Sequence, residues 1–247
     1  MQHGSRFAKK PANGRLKTLF DEVVHHLPYG ITAVVVSMLG VWLFFNDSCI
    51  ENCCQHSCHL SSISLFHILH YAHTFFASVT AVLTFRRYSK STVGAVLVGT
   101  FVPPLFCTLS DVIFPYVGGT IMGVDMKFHI CVIQNFDLIL PLIVLGIVLG
   151  LFLSSHKFNG GISVVRFALG SHFLHELVSA AASLVYLISF GCADWWGQPV
   201  SVFILLTAAV VLPCMLSDVV VPIFCAWWSG KKTLHCSRCE YHGCNKR

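Results

Sequence analysis

The sequence predicts an all-α integral membrane protein of six transmembrane helices, arranged as two inverted three-helix repeats. Three observations predict it. Of 247 residues, 55% are hydrophobic and only 11% charged, with a mean hydropathy of +0.72, whereas a soluble domain carries roughly 25% charged residues. The apolar residues gather into runs approaching or exceeding the roughly 20 residues that cross a bilayer. A pattern, C-x-L-S-D-V-x-x-P, occurs twice. The composition argues against a soluble enzyme or a nucleic-acid binder, because too little polar surface is present to cover a globule in water.

The elements follow in order. Residues 1–27 form a basic cytoplasmic N-terminus, with His25 and His26 at the membrane interface. The first span, Pro28–Phe45, carries no charge. No small-x-small cleavage pattern follows it, so it is read as an uncleaved span rather than a signal peptide. A Cys/His-rich outer loop, 46–59, leads to the second span, Ile63–Phe85, and the third, Ser91–Pro115, which closes the first repeat (28–117). An outer connecting loop, 118–137, precedes the second repeat, 138–228, with spans Leu138–Ser155, Phe167–Phe190 and Val200–Trp228. Residues 229–247 are a cytoplasmic Cys/His tail.

The basic residues set the span number. Lys and Arg gather on the cytoplasmic side of membrane proteins. They occur before span one (Arg6 to Lys17), after span two (Arg86, Arg87, Lys90), after span four (Lys157, Arg166) and after span six (Lys231 onward). Six spans put 15 of the 16 basic residues on one face and leave only Lys127 opposite. Five or seven would split the set. The expectation is a multi-pass protein of the cell (inner) membrane with both termini cytoplasmic. Its expected partners are membrane lipid, a metal ion and, because six helices make a small unit, a homodimer. Nucleic acid is not among them.

The repeat is written in polar residues. Cys107-Thr108-Leu109-Ser110-Asp111-Val112-Ile113-Phe114-Pro115 matches Cys214-Met215-Leu216-Ser217-Asp218-Val219-Val220-Val221-Pro222. One span earlier, His67-x-x-His70 matches His172-x-x-His175. His70 precedes Asp111 by 41 residues and His175 precedes Asp218 by 43. Three is an odd number of helices, so the second copy enters the membrane from the opposite side. Inverted repeats with interrupted helices and midplane sites are a feature of secondary transporters. Pro104 and Pro213 remove backbone donors upstream of the two Asp residues and are expected to free carbonyls there.

Carboxylates in hydrocarbon are expensive and usually functional. Cys107 and Asp111, and Cys214 and Asp218, stand four apart and share a helix face. His67, His70 and His73 form one stripe, and His172, His175 and Glu176 another. Imidazole, thiolate and carboxylate together suit a Zn-like transition-metal ion, with Cu, Cd or Ni as competitors. The expected pathway pairs His70 with Asp111 near the outer end of the third span, and His175 with Asp218 near the inner end of the sixth. Ser110 and Ser217 are weaker candidates, since a helix serine often bonds its own backbone. The bland alternative is polar pairing between helices for packing alone.

Two flanks hold most of the remaining Cys and His. The outer loop contributes Cys49, Cys53, Cys54, Cys58, His56 and His59, read either as two disulfides or as soft-metal ligands. The tail contributes His235, Cys236, Cys239, His242 and Cys244, read as a short chelate in a reducing compartment. Asp125, His129 and Cys131 in the connecting loop are read as plain loop residues, with an outer vestibule as the alternative.

Cys107–Gly119, with Leu-Ser-Asp followed by proline and Gly-Gly, and the histidine stripe before it resemble a family of multi-pass heavy-metal exporters related to arsenical permeases. That family carries more spans than the six placed here. The resemblance implies export of a metal ion and carries over His70, Asp111, His175 and Asp218. His175-Glu176-Leu177 is also similar to a zinc-permease helix, without that helix's preceding proline or following ligands. The sequence-level expectation is a non-enzymatic metal-ion transporter, the ion being substrate. The alternatives are a b-type haem protein with bis-histidine ligation and a membrane thiol–disulfide oxidoreductase using the loop cysteines. A metalloprotease is disfavoured because His175-Glu176 lacks the second His of H-E-x-x-H.

Overall fold

A computed structural model describes residues 12–45, 56–155, 161–191 and 195–229. Among them there is no strand, and six long helices carry the fold. These are α1 (Ala12–Phe45), α2 (His56–Tyr88), α3 (Thr92–Ile121), α4 (Phe136–Ser155), α5 (Gly161–Gly191) and α6 (Pro199–Ser229). Stretches of the last five are long and apolar enough to cross a membrane, which is the make-up of a membrane protein; the apolar part of α1, Leu27–Leu43, is shorter.

Several element ends differ from the sequence expectation. The first helix does not begin at Pro28 but runs through it from Ala12. The Thr32 hydroxyl donates to the Pro28 carbonyl at 2.7 Å. Within the segment 46–59 expected as a loop, His56–His59 are helical and begin α2. The turn from α2 to α3 is brief: Ser91 caps α3 by accepting the Gly94 N–H at 3.1 Å, the interaction Ser offers the orphan donors of a first turn. α3 does not stop at Pro115 but continues to Ile121. It ends in a paired cap, with Val124 N–H donating to Gly119 O and Gly123 N–H to Thr120 O, both at 3.0 Å. Gly123 sits at φ +84°, a left-handed value that only glycine adopts without strain. Asp111 therefore lies deeper in its helix than a helix ending at Pro115 would place it.

α2 and α5 form the centre. In α5, 72% of the apolar window is buried within the protein, against 28% in α4. α2 packs against α5, α4 and α3; α1 packs against α5 and α6. The inward stripe of α4, Ile139, Ile143, Gly146, Ile147 and Gly150, repeats at the helical period. Leu138, Leu145, Val148 and Phe152 are more than half exposed on its other side, an apolar outer face suited to lipid. Gly146 lets α4 approach closely: a Cβ there would sit 2.8 Å from both the Phe75 carbonyl oxygen and the Ser78 Cβ. Small residues at such spacing are how membrane helices approach one another.

α3 and α6 are each interrupted by a five-residue π-helical turn, Leu109–Ile113 and Leu216–Val220. Pro104 and Pro213, expected to free carbonyls, lie within regular helix. The cause of the interruptions lies in the prolines that follow each widened turn. Pro115 and Pro222 have no N–H and would crowd the carbonyl four residues back. The wider turn relieves this, with Phe114 N–H donating to Leu109 O and Val221 N–H to Leu216 O. Such bulges mark functional sites in many helices.

Candidate functional site

The two π-turns face the central helices. The Leu109–Ile113 turn lies against α5 and the Leu216–Val220 turn against α2. In the first, Ser110 O has lost its usual partner, because Phe114 N–H goes to Leu109 O and Pro115 has none to give. The Ser183 hydroxyl of α5 supplies the missing bond at 3.1 Å. A buried carbonyl is expensive to leave unpaired, so this bond ties the turn to α5 and fixes where Asp111 points.

Asp111 is fully buried and accepts three side-chain hydrogen bonds. His70 Nδ1–H reaches Oδ2 at 2.9 Å and His73 Nδ1–H reaches the same oxygen at 2.7 Å. Ser179 Oγ–H donates to Oδ1 at 3.0 Å, and Ser110 lies 2.7 Å from Ser179. An ionised carboxylate only accepts, so in the neutral rings both protons sit on Nδ1 and both Nε2 atoms carry lone pairs.

The Nε2 of His73 then meets the second half of the chain. It lies 3.2 Å from His175 Nε2 and 3.7 Å from Cys214 Sγ. The two rings meet edge to face with centroids 4.5 Å apart. Cys214 Sγ also lies 3.6 Å from Ser179 Oγ. One ligand atom from each of His73, His175 and Cys214 lies within 4.8 Å of the others, and all three residues are buried. His175 Nε2 is 3.5 Å from Asp218 Oδ2, and His172 Nδ1 is 3.4 Å from the same oxygen.

The residues anticipated as two separate half-sites thus form one connected chain: His70, Asp111, His73, His175, Asp218, His172. Glu176 is buried in α5 beside Gly30 of α1. Glu176 Oε2, Asp218 Oδ1, Ser217 Oγ and His175 Nδ1 are buried without a hydrogen-bond partner among the described residues. Cys107, the counterpart of Cys214, is buried and interacts with Thr74 rather than joining the trio.

His67 does not join this chain. It bonds His129 of the α3–α4 connection, Nε2 to Nε2 at 3.1 Å, and these two rings form a second group with Cys131. Reading His129 and Cys131 as plain loop residues missed this. Ser179 and Ser183 were missed as well, although the spacing held a signal. His67, His70, Thr74 and Ser78 recur as His172, His175, Ser179 and Ser183 at identical intervals. The side chains of Cys49, Cys53, Cys54, His56, Cys58 and His59, and the tail residues His235, Cys236, Cys239, His242 and Cys244, lie outside the described residues.

No protein-family model, curated protein or solved structure matches the chain.

Proposed function

We propose that this chain carries a divalent or soft transition-metal ion, Zn-like in its ligand preference, across a membrane. The observation that supports this most is the buried trio His73, His175 and Cys214, whose ligand atoms lie within 4.8 Å of one another at the junction of helices from both halves. Two imidazoles and a thiol are a donor set for Zn and its softer competitors. His73 is held by Asp111 as ligand histidines are held by carboxylates, with the lone pair of Nε2 turned to the ion. Binding would take the thiol proton from Cys214 and shift the proton of His175 Nε2 to Nδ1, which has no other partner. Asp218, 3.5 Å from His175 Nε2, is a base available to a released proton. That placement supports proton exchange for metal in this reading.

The scaffold in this reading is a pair of inverted three-helix repeats with both termini cytoplasmic and the chain acting as a carrier, not an enzyme. Matched π-turns on the two L-S-D-V segments support it. So does the exchange of first helices, α1 packing on α5 and α4 on α2. Export is the direction the family resemblance implies. The bis-histidine haem alternative gains no support from the imidazole pair bridging α2 and α5. Centroids 4.5 Å apart with the rings in contact leave no width for a macrocycle between them.

Reconstitution of the full chain into liposomes holding a metal-sensitive dye tests the reading. Zn²⁺ and Cd²⁺ flux should appear with the wild type, respond to a pH gradient, and vanish in His73→Ala and Cys214→Ala. Wild-type flux in both variants would overturn it.

A further inference from the structure

We infer that His67, His129 and Cys131 form a second metal-binding site, a loading site for a thiophilic divalent cation at the end of the bundle where α3 passes into α4. The inference deepens the transport reading, but its binding test stands without it. The three ligand atoms lie within 4.8 Å of one another, and the two imidazoles already touch at 3.1 Å. His67 and His129 are half-buried while Cys131 is fully buried. The group is therefore reachable from the bundle end, which the fully buried central trio is not.

The segment that brings His129 here is fastened at several points. Lys127 N–H donates to Phe190 O at 2.8 Å. His129 N–H donates to the Tyr186 hydroxyl at 3.2 Å, and that hydroxyl donates onward to Lys127 O at 3.3 Å. The His129 ring stacks on Phe190 with centroids 4.9 Å apart and planes 13° from parallel. Phe190 and Tyr186 in turn pack on Phe66 of α2, the residue beside His67. One backbone bond, one ring contact to His67 and one stacked face thus hold the His129 imidazole in place, with Lys127 tied on either side of its peptide. Preorganisation of this kind is what a metal site of fixed geometry requires.

The position suggests a step in a route. His70 lies three residues on from His67, on the same face of α2. Its Nδ1 is committed to Asp111, and its Nε2 is buried without a hydrogen-bond partner. The lone pair of His70 Nε2 is thus a free ligand between the loading group and the central trio. An ion released by His67, His129 and Cys131 would meet it before reaching His73.

The test is Cd²⁺ binding by the full chain in detergent, with the seven cysteines of 46–59 and 229–247 replaced by serine so that the flanks do not contribute. Bound metal is counted by equilibrium dialysis, and the thiolate-to-metal charge-transfer absorption is recorded. Cys131→Ser should remove one bound Cd²⁺ and its share of the absorption, and His129→Gln should weaken the same site. Cys214→Ser should remove a different ion, and the double variant Cys131→Ser/Cys214→Ser should show no charge-transfer band from either site. Circular dichroism and unfolding temperature establish that each variant is folded. Loss of an ion in Cys214→Ser with none lost in folded Cys131→Ser and His129→Gln would overturn the loading site and leave the central reading standing. The converse would do the opposite.

Discussion

Asp111→Asn separates the packing role of the buried carboxylate from its electrostatic one. Asparagine has the size of aspartate and can keep its contacts. Its carbonyl would face His70 Nδ1–H and His73 Nδ1–H, and its amide would donate to Ser179 Oγ. The Ser179 proton would then turn from Asp111 toward Ser110, 2.7 Å away. What changes is charge. A hydrogen bond to a charged group contributes about 1.5–3 kcal/mol and a neutral one about 0.5–1.5, so two imidazole bonds lose about 2 kcal/mol together. Relief of a buried charge offsets part of this, and the variant should fold. Metal binding should suffer more. Removing the partner of a ligand histidine costs about 10–100-fold in affinity, or about 1.4–2.8 kcal/mol. The assay is Cd²⁺ titration followed by the charge-transfer absorption that Cys214→Ser removes, with unfolding temperature measured alongside. Affinity and unfolding temperature both unchanged from wild type would refute the reasoning and reduce Asp111 to a packing residue.

Three further outcomes are expected. Pro115→Ala supplies the missing N–H, so α3 can close its π-turn; proline costs a helix interior about 3 kcal/mol relative to alanine, so unfolding temperature should hold or rise while Cd²⁺ affinity falls, although no ligand is touched. Gly146→Ala brings a Cβ to 2.8 Å from the Phe75 carbonyl oxygen, and overpacking of this kind costs about 1–3 kcal/mol; detergent unfolding should show it, while Gly40→Ala, with nothing within 4 Å, should not. Burial, and then the charge of His70, hold His129 below its ordinary 6.5. The unfolded chain therefore takes up that proton first, so the contribution to stability is complete above pH 6.5 and is lost as pH falls from there toward the folded value. His129→Gln should flatten that limb of the curve of unfolding temperature against pH, measured without metal.

The helical class was legible because charge is so scarce that its placement constrains the chain. The ends of the helices were less so. Pro28 and Pro115 look like boundaries, yet α1 runs through the first and α3 widens into a π-turn just before the second and continues past it. Proline forbids one hydrogen bond, and a helix can reroute around that loss. Within the site, His70, His73, Asp111, His175 and Asp218 stood out as costly groups in apolar runs. Ser179 and Ser183 did not, because a serine in a membrane helix commonly bonds its own backbone. Their tertiary role shows only once the bulge leaves Ser110 O without a partner. His129 and Cys131 were hidden for another reason: their meeting with His67 depends on the fold of a loop, and loop geometry leaves no periodic trace in sequence.

The burial of α2 and α5 bears on how the chain enters the bilayer during synthesis. These two segments carry the imidazoles and are the most enclosed by neighbours, yet α2 is made well before the α5 that covers it. Until α5 arrives, His70 and His73 have Asp111 of α3 as partner, but His73 Nε2 lacks His175 and Asp111 lacks Ser179, and hydrocarbon offers such groups no substitute. A ribosome stalled before α5 would leave a half-built protein displaying its polar stripe to the membrane, and such a face is what membrane quality control can recognise. Closure of the buried His/Asp chain and escape from degradation would then be one event, completed when the fifth helix docks.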